Sequence, residues 1–148
     1  MNVSERSSRP AAGWEHFEHV ADVGVRGFGP DPDTAFEQAA RAMTAVVCDS
    51  GDIRALDNVD IRCEAPSLDI LLADWLNAVV FEMATRRMLF STFRVRIDGC
   101  RLEASIGGEA VDVARHRPAT EVKGATLSEL RVSERPDGGW VAQCILDV

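Results

Sequence analysis

Two segments of this chain carry apolar residues at helical spacing, while its other apolar runs alternate with polar residues as in a strand. The first helical segment follows residues 31–33 (Asp-Pro-Asp), which supply a capping side chain, a proline suited to the first turn and negative charge at the positive end of the helix dipole. Its apolar stripe consists of Phe36, Ala39, Ala40, Met43, Val46 and Val47. The second segment follows Pro66, with Ser67 as its cap, and its stripe runs from Leu68 to Met83. A stripe that wide predicts a helix packed against a sheet.

The alternating runs predict antiparallel strands joined by tight turns. Asp98-Gly99 lies between two alternating runs, which is a strong hairpin signal. A turn at residues 136–139 joins a last pair of predicted strands at 126–133 and 140–148. The order strand, helix, strand, helix and then four strands predicts an α+β fold, with two helices packed on one face of a largely antiparallel sheet in a single compact domain.

Composition narrows the classes of function. The chain has 148 residues, enough for one domain, and a net charge of −8. Proteins grip phosphate backbones with clustered lysine and arginine, so no direct nucleic-acid binding is expected. Arg94 and Arg96 alternate with apolar residues and are predicted to lie on a solvated strand face. The excess of carboxylates instead suits metal ions or a basic partner protein.

The N-terminus and the cysteines indicate a cytoplasmic protein. Residues 1–13 carry Ser, Arg and Pro without a hydrophobic stretch, which predicts a disordered tail before a domain at residues 14–148. The four cysteines are scattered and form no CxxC pair, which favours reduced thiols over a disulfide framework. They are Cys48, Cys63, Cys100 and Cys144. No apolar run approaches the ~20 residues that span a bilayer, so no membrane contact is expected.

Fifteen of the sixteen basic residues are arginine, and Lys123 is the single lysine. Lysine supplies a compact charge with three rotatable donors, whereas arginine is a fixed planar fork. Lys123 is therefore a candidate for a role that arginine cannot fill, although chance alone would also leave one lysine.

Two aspartates stand in segments that otherwise have the composition of buried strands. Asp22 precedes Val23, and Asp147 is the penultimate residue of an apolar run. A lone buried carboxylate is costly unless it is paired or binds a cation. If the first and last strands meet, Asp22, Asp147 and the terminal carboxylate of Val148 would form an all-oxygen cluster suited to Mg²⁺, Ca²⁺ or Mn²⁺, with Lys123 beside it. The alternative is that Asp22 caps a turn and Asp147 lies in a frayed terminus.

His16 and His19 form an HxxH pair that on a helix could bind zinc. The residues after it have the composition of a strand, and no cysteine cluster supplies further ligands. A histidine hydrogen-bonded to the backbone is the favoured interpretation.

At these residues the chain resembles the archease family. The matching segments are 17–24 (FEHVADVG, similar to EHTADIG), 72–77 (LADWLN, similar to DWLN), 89–93 (LFSTF, similar to LLFSKF), 108–112 with His116 and 120–123 (the GE…D…H…TEVKA run), and 146–148 (LDV, similar to LDI). They are collinear over residues 14–148. Departures are modest: Val20 replaces a threonine, Gly124 an alanine and Leu127 a tyrosine.

The resemblance implies an accessory protein, not an enzyme, that activates an RtcB-type RNA ligase in tRNA splicing and RNA repair. It implies that the protein promotes guanylylation of the ligase and multiple turnover. By motif, the functional residues would be Asp22, Lys123 and Asp147, with a divalent cation bound by the two aspartates and Val148. Two alternatives stay open: a small metal-dependent phosphoester or nucleotide hydrolase, and a chaperone-like module whose carboxylates are incidental.

Overall fold

The strands pair into two antiparallel sheets, and the helices pack against both. The computed structural model describes residues 10–19 and 22–148, so the predicted disordered tail lies for the most part outside the described residues. The elements in chain order are β1 (Gly13–His19), β2 (Asp22–Gly29), α1 (Pro32–Val47), a short 3₁₀ turn (Ser50–Asp52), β3 (Asp57–Glu64), α2 (Leu68–Arg86), β4 (Met88–Asp98), β5 (Arg101–Ala110), α3 (Val113–His116), β6 (Gly124–Ala125), β7 (Arg131–Glu134) and β8 (Trp140–Asp147).

In the part of the chain that the structure describes, one sheet has five strands in the order β1-β2-β8-β6, with β7 also paired to β8, and the other has three in the order β3-β5-β4. The predicted α+β class and antiparallel pairing are confirmed. The strands divide between two sheets because β8 pairs with β2 from the start of the chain, whereas the β4–β5 hairpin pairs with β3. One apolar core joins the inner faces of both sheets to α1 and α2.

Both predicted helices are present with their predicted caps. The Asp31 side chain accepts a hydrogen bond from the Thr34 amide (2.8 Å), and the Ser67 hydroxyl accepts one from the Ile70 amide (3.2 Å). Each bond satisfies a first-turn N–H that has no partner inside the helix. None of the helices in the described residues is long and apolar enough to cross a membrane.

Helix α1 also closes one edge of the three-stranded sheet. Strand β4 is an edge strand, and two of its outward-facing backbone groups are bound by α1 side chains. The Val95 amide donates to Glu37 (2.8 Å), and the Thr44 hydroxyl donates to the Phe90 carbonyl (3.1 Å). Asp33 adds a bond to the Ile97 backbone, although burial raises the pKa of this carboxyl overall. These contacts occupy part of the outward-facing edge of β4 and so hinder its pairing with another chain.

Glycines with positive φ form the tight turns that join the antiparallel strands. Gly99, with φ of 63°, opens the two-residue connection between β4 and β5, and Gly138, with φ of 87°, lies in the turn before β8. The strand predicted at 126–133 is shorter than expected. The Thr126 hydroxyl accepts a bond from the Ser128 amide (3.2 Å) and Glu129 adopts φ of 50°, so a turn separates β6 from β7.

Candidate functional site

Strands β2 and β8, which are distant in the chain, lie side by side in the five-stranded sheet. Val23 of β2 pairs with Leu146 of β8, and continuing this antiparallel register by one residue places Asp22 opposite Asp147. On the other side of β8, Gly124 of β6 pairs with Asp147. Asp22 and Asp147 therefore lie on neighbouring strands at one end of the sheet, and Lys123 immediately precedes the next strand, β6.

Lys123 is held in place through its backbone and its neighbours. Its amide donates to the Asp147 carbonyl (2.8 Å), which ties it to β8. Asn77 of α2 clamps the following residue, because its side-chain oxygen accepts from the Ala125 amide (2.8 Å). A Cβ atom on Gly124 would lie 2.9 Å from that same oxygen, so the alanine expected from the family pattern would push Asn77 away. The Lys123 side chain is exposed, and among the described residues it has no salt-bridge partner.

An aromatic ring borders the aspartates. Phe17 lies directly over Gly24, where an added Cβ atom would come within 2.3 Å of the ring. The Arg26 guanidinium lies 4.1 Å from the ring centroid and donates to Gln143 (2.8 Å). Because side chains alternate along a strand, Asp22 and Gly24 share the sheet face that bears Phe17. Asp22 itself is half-buried.

The donor chemistry suits a hard divalent cation. Directly opposite residues of an antiparallel pair have Cβ atoms about 4.5–5.5 Å apart, so the carboxylates of Asp22 and Asp147 can reach one ion. Carboxylate oxygens match Mg²⁺, Ca²⁺ or Mn²⁺ rather than softer metals. Within residues 10–19 and 22–148, however, no group of three or more His, Cys, Asp or Glu side chains is placed to hold a metal. An ion bound by two aspartates would need further oxygens, from the Val148 main chain, from water or from another molecule.

The first histidine of the HxxH pair has a structural role. The His16 ring bonds through Nε2 to the Ala42 carbonyl of α1 (2.8 Å), as the favoured interpretation predicted. The side chain of His19 lies outside the described part of the chain. His16 therefore gives no support to a zinc site.

Glu109, Arg115 and His116, which precede Lys123 in the chain, form a buried ionic cluster. The residue types alone did not indicate this cluster. Glu109 is 5% exposed and accepts hydrogen bonds from the Arg54 amide (2.6 Å), the Arg115 guanidinium and the His116 ring (3.1 Å). The other ring nitrogen of His116 accepts from the Asp112 amide (2.8 Å), so Nε2 carries the proton that is donated to Glu109. Alternation along β5 would place Glu109 towards solvent, and periodicity therefore gives no sign of its burial.

This cluster fixes the start of the segment that leads to Lys123. His116 ends α3, the Ala119 amide then donates to the Val47 carbonyl (2.8 Å), and Val122 is buried in the core. An open, mostly apolar pocket of about 350 Å³ is lined in part by residues 118–122. The segment that carries Lys123 is thus fixed at its start by the Glu109 cluster and at its end by the hydrogen bond to β8.

The Glu109 cluster predicts a specific acid sensitivity. The hydrogen bond from Arg115, followed by that from the Arg54 amide, lowers the pKa of Glu109 from 4.5 to about 2. Because the pKa is lower in the folded protein than in the unfolded chain, the carboxylate contributes stability above pH 4.5 that is lost as the pH falls towards 2. We expect Glu109→Gln to flatten the loss of unfolding free energy over this range, as measured by urea denaturation at a series of pH values.

Glu37→Gln provides a control of opposite sign. Burial raises the pKa of Glu37, so its titration favours the folded state as the pH falls. Removing that titration should steepen the acid loss of stability, whereas Glu109→Gln flattens it. Equal slopes for the two variants would contradict the assigned role of Glu109.

Comparison with known proteins agrees with the fold and the motifs. The model of the Archease protein family (MTH1598/TM1083) matches residues 14–148. "Protein archease" of Thermococcus gammatolerans is 35% identical over 139 residues, covering 91% of this chain and 98% of the relative. The Pyrococcus furiosus protein of the same name is 34% identical with the same coverage. The solution structure of Methanobacterium thermoautotrophicum protein 1598 superposes with a TM-score of 0.81 at 31% identity, covering 92% of this chain and 99% of that one.

These matches confirm the resemblance carried by the motifs. Since the family model spans the whole folded region and the relatives align over nearly their full length, the chain belongs to the Archease protein family.

Proposed function

We propose that this protein is a non-catalytic accessory protein of an RtcB-type RNA ligase in tRNA splicing and RNA repair. Its acidic tip, defined here as Asp22, Lys123 and Asp147, would act at the ligase active site to promote guanylylation and multiple turnover. The single observation that carries the proposal is the strand register. It brings two aspartates from opposite ends of the chain, and the only lysine, to one end of one sheet.

Each residue of the acidic tip has a distinct task in this proposal. Guanylylation joins the GMP part of GTP to a histidine of the ligase and releases pyrophosphate. Divalent ions bound to the triphosphate oxygens lower the barrier to such transfers. Asp22 and Asp147 would hold a divalent cation with coordination positions left open, so that phosphate or ligase oxygens can complete its shell. Lys123, as a compact and freely oriented charge, would contact a phosphate oxygen or a ligase carboxylate.

The acidic tip is suited to insertion into another protein. Lys123 and Asp147 are exposed, and the Lys123 amide donates to the Asp147 carbonyl, which ties both backbones to the sheet. Their exposed side chains can bind another molecule while their backbone positions remain fixed. Ordered backbone positions lower the conformational entropy lost on binding.

The test is ligase turnover with substituted accessory proteins. Asp22→Asn, Asp147→Asn and Lys123→Met should each reduce the stimulated turnover roughly tenfold or more, with unchanged circular dichroism. Lys123→Arg should recover only part of the activity, because the fixed guanidinium fork does not replace an ammonium. Asp98→Asn, which alters an exposed aspartate at the β4–β5 hairpin, is the matched control and should stimulate normally.

Two results would count against the proposal. Full stimulation by folded Asp147→Asn protein would remove the role of the acidic tip. Turnover of GTP or a simple phosphoester by this protein alone, lost in the same variant, would favour the hydrolase alternative.

A further inference from the structure

The two edges of the three-stranded sheet differ. Helix α1 binds outward-facing groups of β4 through Glu37 and Thr44. Strand β3 forms the opposite edge, and within residues 10–19 and 22–148 its one pairing partner is β5. The Ala65 amide donates to the Cys100 carbonyl, so Ala65 is a hydrogen-bonded residue of the β3–β5 pair. Because hydrogen-bonded positions alternate along an antiparallel strand, the backbone groups of residues 58, 60, 62 and 64 point away from β5. Among the described residues, no hydrogen bond reaches the outward-facing backbone groups of these four residues.

Charge alternates from strand to strand across the outer face of this sheet. In one row Arg62 of β3 lies opposite Glu103 of β5, which lies opposite Arg96 of β4. In the next row Glu64 lies opposite Arg101, with a salt bridge of 3.1 Å. Opposite charges facing each other across strands stabilise pairing, and like charges oppose it. The same rule applies to any strand added beside β3.

We propose that β3 pairs antiparallel with β3 of a second copy of this chain, with Asp60 opposite Arg62 of the other copy. The two three-stranded sheets then become one continuous six-stranded sheet about a two-fold axis. Asp60 faces Arg62 twice by symmetry, and Asn58 faces Glu64 twice. Because these are the outward-facing residues, each such pair exchanges two backbone hydrogen bonds.

The charge pattern selects this register over its neighbours. Sliding one β3 strand to the next register that pairs outward-facing residues would, in one direction, place Asp60 opposite Asp60 of the other copy. In the other direction, it would place Arg62 opposite Arg62, and Asp60 opposite Glu64. Both shifts place like charges opposite each other at the edge, and only the intermediate register continues the alternation already present within the sheet.

The association should be reversible. Only one strand edge is shared, and interfaces below about 1,200 Å² are typically weak. Charged residues on an edge strand normally prevent indiscriminate pairing, and here they would restrict pairing to one partner and one register. No residue of the acidic tip lies on β3, so the inference goes beyond the proposed function and does not depend on it.

Sedimentation velocity over a wide range of protein concentration tests the pairing. We expect the wild-type protein to form dimers as its concentration rises. Asp60→Arg places arginine against arginine at both symmetric positions, and Arg62→Asp places aspartate against aspartate. Each variant alone should associate roughly tenfold or more weakly. An equimolar mixture of the two should dimerise again, because every pair then joins arginine to aspartate.

Arg94→Asp is the matched control, since it reverses an exposed arginine on the same face but on the covered β4 side. This variant should dimerise like the wild type, and far-ultraviolet circular dichroism should show all variants folded. A wild-type protein that stays monomeric at every concentration would overturn the proposal. So would single variants that dimerise as well as the wild type, or a mixture that remains monomeric.

Discussion

Trp75→Ala is expected to lower the free energy of unfolding by about 3–5 kcal/mol. The indole is fully buried between the two helices and the three-stranded sheet. Its ring meets Phe93 edge-on at 6.2 Å, and its N–H donates to the Phe36 carbonyl of α1 (3.0 Å). Truncation removes this apolar contact and the hydrogen bond to the Phe36 carbonyl, and it leaves a cavity. Equilibrium urea denaturation measures the difference.

Trp14→Ala is the matched control, because the same atoms are removed from a ring that is 42% exposed. That substitution should cost less than about 1 kcal/mol. Trp75→Phe keeps most of the apolar contact but loses the N–H donor, so it should fall between the two. If the Trp75→Ala protein is no less stable than Trp14→Ala, the packing of Trp75 does not contribute substantially to the stability of the core.

The helices were predictable because their signals are local. Asp31 and Ser67 each lie three residues before the amide that they cap, within the range of a sequence pattern. The apolar stripe likewise predicted the burial of Trp75. Two residues further along the same helix, Asn77 binds Ala125, which is 48 positions away. Nothing in the helical pattern indicates that partner.

The division into two sheets was not predictable from alternation. All the strands alternate in a similar way, and pairing partners are set by contacts between segments distant in the chain. Strand β8, for example, meets β2 across more than a hundred residues. The cost of burying Asp22 and Asp147 made a shared site depend on the first and last strands meeting. The strand that bears Asp22 is the second, β2, and it pairs with the last strand, β8. The Glu109 cluster was missed because its burial depends on α3 and on the segment before β3.

Gly27→Ala is expected to destabilise the protein by about 3 kcal/mol, even though only one methyl group is added. A Cβ atom at this position would lie 2.1 Å from the Ala35 carbonyl oxygen and 2.3 Å from the Ala39 amide nitrogen. Both are backbone atoms of α1, so no side-chain rotation can relieve the overlap. Gly13→Ala is the control: it makes the same change in a neighbouring strand, where a Cβ atom would meet nothing within 4 Å. Urea denaturation should separate the two variants clearly.

The same substitution also tests whether α1 is held rigidly between the sheets. If the overlap is relieved by moving α1 away from β2, Glu37 must move with it and the Val95 amide loses its acceptor. Hydrogen exchange at Val95 should then accelerate in Gly27→Ala and stay unchanged in Gly13→Ala. Unchanged exchange combined with a large loss of stability would mean that β2 yields instead of α1. A small loss of stability would mean that the close approach of helix and strand is not required for folding.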